Sequence, residues 1–367
     1  MRVLLTMSDY RERLGELRKK LAEEELQQAV ILSRENICYL TGFCVGSNER
    51  LTALIVNGKE TSLVVPKLSQ GQVRDIGVDK TVTWDDRDDP YAIAKEIIGS
   101  GGKGRIALES QTPLSLYMRF KDMFGPDPVF ADQLMVALRQ RKRGEEVEFI
   151  RKAVEISEKA LEETTQEIKP GMTEKEVAGI LEYNMRRNGS DGNAFSTTVA
   201  SGKNSANPHH VTSDSRIEAG SSLVIDFGAS YRNYSSDTTR TFVVGSIPEG
   251  FKDVYETVRK AQQTGIDCAN PGIPAGDIDI EVRKVIENAG YGEYFTHRTG
   301  HGIGLETHEP PYINESNRSP LQPPATFTIE PGIYIQGKYG VRIEDTVLMD
   351  EKGTRAVNSF SKELRIL

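Results

Sequence analysis

Five residues between positions 223 and 345 have types and spacings that could do chemistry together. Asp226 lies in Leu223-Val224-Ile225-Asp226-Phe227-Gly228, and Asp237 in Ser235-Ser236-Asp237-Thr238-Thr239-Arg240. His301 lies in Gly300-His301-Gly302-Ile303-Gly304, Glu330 in Thr328-Ile329-Glu330-Pro331-Gly332, and Glu344 in Gly340-Val341-Arg342-Ile343-Glu344-Asp345. Each sits near the end of an apolar or β-branched run, and strands flanked by glycines can aim such side chains into one cavity. Four like charges cannot share a dry cavity unless something positive neutralises them. Two divalent ions would do so, and oxygen donors with one nitrogen suit Mn²⁺, Co²⁺ or Zn²⁺. Taken singly, each residue has a blander reading. An Asp after an apolar run is usually a turn or cap residue, and a Glu before Pro-Gly a hairpin edge. Their occurrence together, in this order, favours one site.

The elements around these residues are legible in part. Asp226 and Asp237 flank Tyr231-Arg232-Asn233-Tyr234, which suits a turn between two strands. Gly300, Gly302 and Gly304 fit a strand whose backbone must pack closely. A weak internal repeat is present. Lys169-Pro170-Gly171-Met172 precedes a helix with Thr173 and Glu176 as a capping box. Asn270-Pro271-Gly272-Ile273 precedes a second helix that ends near Gly290. Each helix is followed by an acid with a glycine two residues on, so a duplicated α/β unit would set Asp226 and Glu330 facing one another.

Upstream, residues 8–25 read as an amphipathic helix capped by Ser8, with Tyr10, Leu14, Leu17 and Leu21 on one face. Residues 29–33 read as a buried strand, and residues 36–43 as a helical turn ending at Gly42. Residues 51–56 and 61–65 form a strand pair joined at Asn57-Gly58. A helix over 90–98, a glycine-rich turn over 99–104 and a strand over 105–108 follow. No Gly-Lys-Ser/Thr accompanies those glycines, so they are a turn and not a phosphate loop. The alternation predicts an α/β domain with a mixed sheet. Lys142 to Glu146 reads as a charged hinge before a helix over 147–163, which places a domain boundary between Gln140 and Gly144.

Composition bounds the rest. The 367 residues, 37% hydrophobic and 27% charged, suit a soluble two-domain protein. A net charge of −8 excludes a nucleic-acid surface. The first seven residues hold too short an apolar run for a signal peptide, and no stretch approaches membrane-spanning length. Cys38, Cys44 and Cys268 have no metal-type spacing, and an odd, low count predicts buried free thiols in a reducing, cytoplasmic compartment.

The order Asp226, Asp237, His301, Glu330, Glu344 in these contexts resembles the prolidase and aminopeptidase P family, the pita-bread metallopeptidases related to the methionine aminopeptidases. Asn36-Ile37-Cys38-Tyr39-Leu40-Thr41-Gly42-Phe43 also resembles a signature of that family's N-terminal domain. The resemblance implies an α/β (α+β) protein: a creatinase-like domain with a mixed sheet over 1–140, then a pita-bread catalytic domain with internal pseudo-twofold symmetry over 141–367. It implies two divalent metal ions per chain, Mn²⁺ first, with Co²⁺ or Zn²⁺ as alternatives. Asp226 would bind one ion, Asp237 and Glu344 would bridge both, and His301 and Glu330 would hold the other. The implied reaction is hydrolysis of the Xaa-Pro bond of small peptides by a hydroxide shared between the ions. Glu330 would shuttle the proton and His308, in Thr307-His308-Glu309-Pro310, would stabilise the oxyanion. His209, in Asn207-Pro208-His209-His210, would contact substrate, and His297 would line its pocket with Tyr312. Arg342 would hydrogen-bond the metal carboxylates at the substrate site, and His210 would be a bystander. A homodimer is implied by the resemblance alone.

An Xaa-Pro dipeptidase is favoured over an Xaa-Pro aminopeptidase because the chain length and N-terminal domain look like those of prokaryotic prolidases. A metal-free creatinase-type hydrolase and a non-catalytic binding module share the fold, but the intact ligand set argues against both. The sequence departs from the pattern at one place. Several dipeptidases of the family carry an arginine after the His-Glu-x-Pro element to bind the substrate carboxylate, and Tyr312 stands there here. The replacement would be Arg318 or an arginine of a dimer mate.

Overall fold

A computed structural model describes residues 5–45, 49–73, 76–101, 104–124 and 129–367. The chain divides into two compact units, Met1–Arg139 and Gln140–Leu367.

The N-terminal unit is built on a six-stranded mixed sheet, in the order Lys80–Trp84, Thr61–Pro66, Ala53–Asn57, Gln28–Ile31, Ile106–Leu108, Val129–Phe130. The three central pairings include two antiparallel ones, while both flanks pair parallel. The helix Met7–Glu23 buries Leu14, Leu17 and Leu21, as their spacing predicts. Its cap is Thr6 and not Ser8: the Thr6 N–H and hydroxyl both donate to the Asp9 carboxylate. Arg13 is buried on the same helix and donates to the Tyr39 carbonyl at 2.8 Å, which the apolar pattern did not foretell. The strand pair closes as a tight turn over Gly58-Lys59: the Asn57 amide donates to the Glu60 carbonyl at 3.0 Å, and the Asn57 side chain accepts from the Lys59 and Glu60 amides. The helix Arg34–Thr41 is capped by Ser33 and stops at Gly42, whose φ is 79°.

That turn corrects the expectation of three free thiols. Gly42 reverses the chain so that Cys44 returns beside Cys38, the Cα atoms lie 4.5 Å apart, and the two are joined as a disulfide. Cys268 keeps a free thiol. The cysteines therefore give no argument for a reducing compartment. The expected turn over 99–104 falls partly outside the described residues, as do the first four residues of the chain.

The second unit begins with a correction too. Lys142 is not a solvated hinge charge: it is buried and ion-paired to Glu309 at 2.8 Å, and the helix Gly144–Thr165 starts three residues before the expected 147. Two half-cores follow, each a helix pair against an antiparallel sheet. In the first, Leu161, Val177 and Leu181 of the helices Gly144–Thr165 and Glu174–Arg187 pack on Leu223, Ile225 and Phe242. In the second, Val258, Val282 and Ile286 of the helices Phe251–Cys268 and Ala275–Asn288 pack on Phe327, Ile329 and Val347. Each such side chain contributes about 1.5–3 kcal/mol when removed from water. This pairing of like halves is what the sequence repeat predicts. Among the described residues, no helix is long and apolar enough to cross a membrane.

Candidate metal centre and substrate site

The strands Ser221–Phe227 and Thr238–Val244 pair antiparallel, with Asp226 opposite Thr239. Between them, Ala229–Tyr231 and Tyr234–Ser235 form a tight hairpin whose two central residues, Arg232 and Asn233, have φ of 52° and 67°. This is the φ pattern of a two-residue primed turn. Asp237 follows the hairpin directly. The second half supplies His301 on the strand Gly300–Gly302, Glu330 just after Ala325–Ile329, and Glu344 between Tyr339–Arg342 and Asp345–Asp350. Only glycine fits beside His301. A Cβ on Gly300 would lie 1.9 Å from the Thr328 carbonyl oxygen, and one on Gly302 would lie 2.5 Å from that of Pro310.

These elements bring the acids and the imidazole together. Asp237, His301 and Glu344 each offer a ligand atom, and all three atoms lie within 4.8 Å of one another. His301 Nε2 is 3.3 Å from Glu330 Oε1 and 3.6 Å from Asp237 Oδ2. His301 Nδ1 faces the Gly302 carbonyl at 3.1 Å, which turns Nε2 toward the carboxylates. Thr239 donates to Glu344 Oε2 at 2.6 Å, and Arg342 donates to Asp226 Oδ2 at 2.7 Å.

The electrostatics are those of a crowded anionic pocket. Burial, then the charges of Glu344, Asp226 and Glu330, pushes the Asp237 carboxyl well above its ordinary range. Glu344 is raised likewise by burial, Glu330 and Asp226. Asp226 is raised by burial, with Arg342 opposing. Burial also raises Glu330, but the hydrogen bond and charge of His301, with His297 and Arg342, outweigh it and hold this group at about 2. Two buried carboxylate oxygens, Asp226 Oδ1 and Glu344 Oε1, have no hydrogen-bond partner. Orphaned oxygens in a cluster of like charges fit divalent cations, and the donor set of four carboxylates and one imidazole nitrogen is a fit in kind as well.

The remaining expected site residues fall on two sides. His308 is exposed, with its ring centroid 4.1 Å from that of His301. Partial desolvation of the ring against the site, then the charges of His301 and Arg298, lowers it to about 4, so it is neutral near pH 7. His209 is exposed, and its charge reaches His308. Tyr312 stands opposite His301 in the pairing with Glu309–Ile313. Arg318 is ion-paired at 2.8 Å to Asp277 of the helix Ala275–Asn288. Arg342 and His297 belong to one buried chain of hydrogen bonds. Arg342 donates to Asp226, to Thr239 and to the Tyr334 hydroxyl. That hydroxyl lies 2.8 Å from His297 Nε2, and His297 Nδ1 donates to the Arg298 carbonyl. Both ring nitrogens of His297 are thus engaged. His210 binds Glu174 at 2.8 Å.

Sequence reasoning passed over several participants. Thr239 and Tyr334 lie inside strands, where a hydroxyl gives no periodic signal. Arg240 is buried and donates to the Glu344 carbonyl and to Asp345 Oδ1, so it fixes the turn that carries Glu344. Its position directly after Thr238-Thr239 was visible, its burial was not.

Comparison with known proteins agrees with this geometry. Residues 148–351 match the model of metallopeptidase family M24, and residues 13–141 that of the creatinase/prolidase N-terminal domain. The chain is 39% identical over 355 residues to the Xaa-Pro dipeptidase of Pyrococcus furiosus, covering 96% of this chain and 99% of that protein. A crystal structure of recombinant prolidase from Thermococcus sibiricus superposes with a TM-score of 0.94 at 36% identity, covering 98% of this chain and 99% of that one. The X-Pro aminopeptidase of Thermotoga maritima MSB8 superposes at 0.88, also at 36% identity, covering 96% and 99%. With a matched catalytic region that holds every one of the clustered acids, the chain belongs to metallopeptidase family M24, behind a creatinase/prolidase N-terminal domain.

Proposed function

We propose that this protein is a metal-dependent exopeptidase that hydrolyses the Xaa-Pro bond, acting as an Xaa-Pro dipeptidase. The observation that carries the reading is the cluster of buried like charges with two orphaned carboxylate oxygens. Relatives named Xaa-Pro dipeptidase and prolidase, matched over nearly their whole length, support it. Asp226, Asp237, His301, Glu330 and Glu344 would hold two divalent ions, Mn²⁺ first. Such ions polarise a carbonyl and lower the pKa of water toward neutrality.

The chain's own groups do the remainder. Glu330, held ionised beside His301, is the acceptor of the water proton and passes it to the leaving imide nitrogen. An amide nitrogen leaves only as the protonated amine, so the bond cannot break without this delivery. His308, neutral at pH 7, can donate a hydrogen bond to the developing oxyanion. His209, on the same side, contacts substrate. Arg342, Tyr334 and His297 orient Asp226 and wall the pocket. A homodimer accompanies this reading through the resemblance, and a cytoplasmic location through the sequence composition.

The test is a peptide panel, Xaa-Pro against Xaa-Pro-Yaa, on metal-stripped protein reloaded with Mn²⁺, Co²⁺ or Zn²⁺. Preference for Ala-Pro is expected. Comparable kcat/KM on Ala-Pro and Ala-Pro-Ala would move the protein to the aminopeptidase class.

A further inference from the structure

We infer that Arg298 is the specificity-determining residue that receives the carboxylate of the substrate's C-terminal proline. The inference deepens the Xaa-Pro dipeptidase reading and rests on it.

A dipeptidase must recognise a carboxylate attached directly to the proline ring. Burying that charge without a fixed positive partner is costly. Tyr312 offers a single neutral donor, and Arg318 is occupied by Asp277. Arg298 meets the need in three ways. Its guanidinium lies over the Tyr312 ring, 4.6 Å from the centroid, and Tyr312 stands directly across the strand pair from His301. The charge is therefore one strand away from a metal ligand. Among the described residues, no carboxylate lies within ion-pair distance of that guanidinium. Its neighbours contrast with it: Arg342 is paired with Asp226, and Arg283 with Asp279.

The backbone under Arg298 is also fixed from both sides. Arg283 donates to the His297 carbonyl, and the Thr299 amide donates to buried Asp279 at 3.0 Å. The His297 ring donates to the Arg298 carbonyl itself. A half-buried, stacked guanidinium on a fixed backbone loses little freedom when it binds, and its fork matches a carboxylate bidentately. Tyr312 thus acts as the platform on which the arginine is laid.

The experiment compares Ala-Pro with its C-terminal amide, which lacks the charge, on metal-loaded enzyme with metal content measured for every variant. Wild type should prefer the acid. Arg298→Ala should lose roughly 10–100-fold in kcat/KM on the acid, mainly through KM, with little change on the amide and no loss of metal. Arg298→Lys, which keeps charge without the fork, should recover part of the loss. Arg318→Ala should behave as wild type on both substrates. An equal loss on acid and amide, or no loss on either, overturns the assignment, as does a selective loss in Arg318→Ala. Should Arg298→Ala fail to fold, Arg298→Gln is read by the same criteria. Wild type that cleaves acid and amide alike overturns this assignment alone. Wild type inactive on both with every metal overturns the peptidase reading and this assignment together.

Discussion

Two buried glutamates in the catalytic unit, Glu174 and Glu344, face opposite fates. Both are almost wholly buried. Glu174 accepts from the Ser201 and Ser213 amides, the Asn204 side chain, the Ser213 hydroxyl and His210. Burial raises its carboxyl, but these hydrogen bonds, Asn204 and His210 foremost, outweigh it and bring the group below its ordinary value. Glu344 accepts one side-chain hydrogen bond from Thr239, keeps an oxygen with no partner, and is raised well above its ordinary value by burial and its anionic neighbours. The partner census separates a structural acid from one built for a cation. Residue type and burial do not.

The hardest way to break this comparison is to neutralise one of the raised acids. Asp237→Asn should lower bound metal and bring turnover close to background, since both ions are read as sharing this carboxylate. A variant that retains two ions per chain by elemental analysis, with normal hydrolysis, contradicts the assignment. His308→Ala probes the rim of the same cluster and should lower kcat by roughly 10²–10³-fold at unchanged metal content. A large fall in metal would instead make His308 a ligand. Glu330→Gln keeps the shape and removes the basicity, and it should cost at least about 10²-fold in kcat once metal content is matched.

The smallest effect concerns stability and has opposite signs at the two glutamates. Glu174 has a depressed carboxyl, so its stabilisation is present above the ordinary carboxylate range and is lost as pH falls through its folded value. Glu174→Gln should destabilise by about 1–3 kcal/mol near neutrality, with the deficit shrinking in acid. In metal-free protein, Asp237 and Glu344 have raised carboxyls, so stability should fall as pH rises from the ordinary carboxylate range through their folded values. Denaturant midpoints taken across pH, with and without chelator, read both trends. Parallel slopes would show that the two kinds of acid do not differ as described.

Much of this was legible in the sequence for identifiable reasons. The clustered acids stand at strand ends, where period and flanking glycine mark them, and the capping box Thr173–Glu176 and the stop at Gly42 are local chemistry. What was hidden depends on contacts between distant segments. Lys142 reads as a hinge charge until Glu309 is brought to it from 167 residues away. Arg298 stands three residues before His301, yet nothing local says that Tyr312 will lie beneath it. Cys38 and Cys44 are close in sequence, but their pairing follows from the left-handed turn between them.

The crowding at Gly300 and Gly302 has a consequence for how the site is assembled. A strand can in principle pair one residue out of step, and such a slip would turn His301 to the opposite face of the sheet. Here a slip would present Thr299 or His301 to the Thr328 carbonyl and His301 or Ile303 to the Pro310 carbonyl, where even a methyl carbon would overlap backbone. The two glycines therefore work as an index: one alignment of the strand is admitted, and in it the imidazole can point only toward the acids.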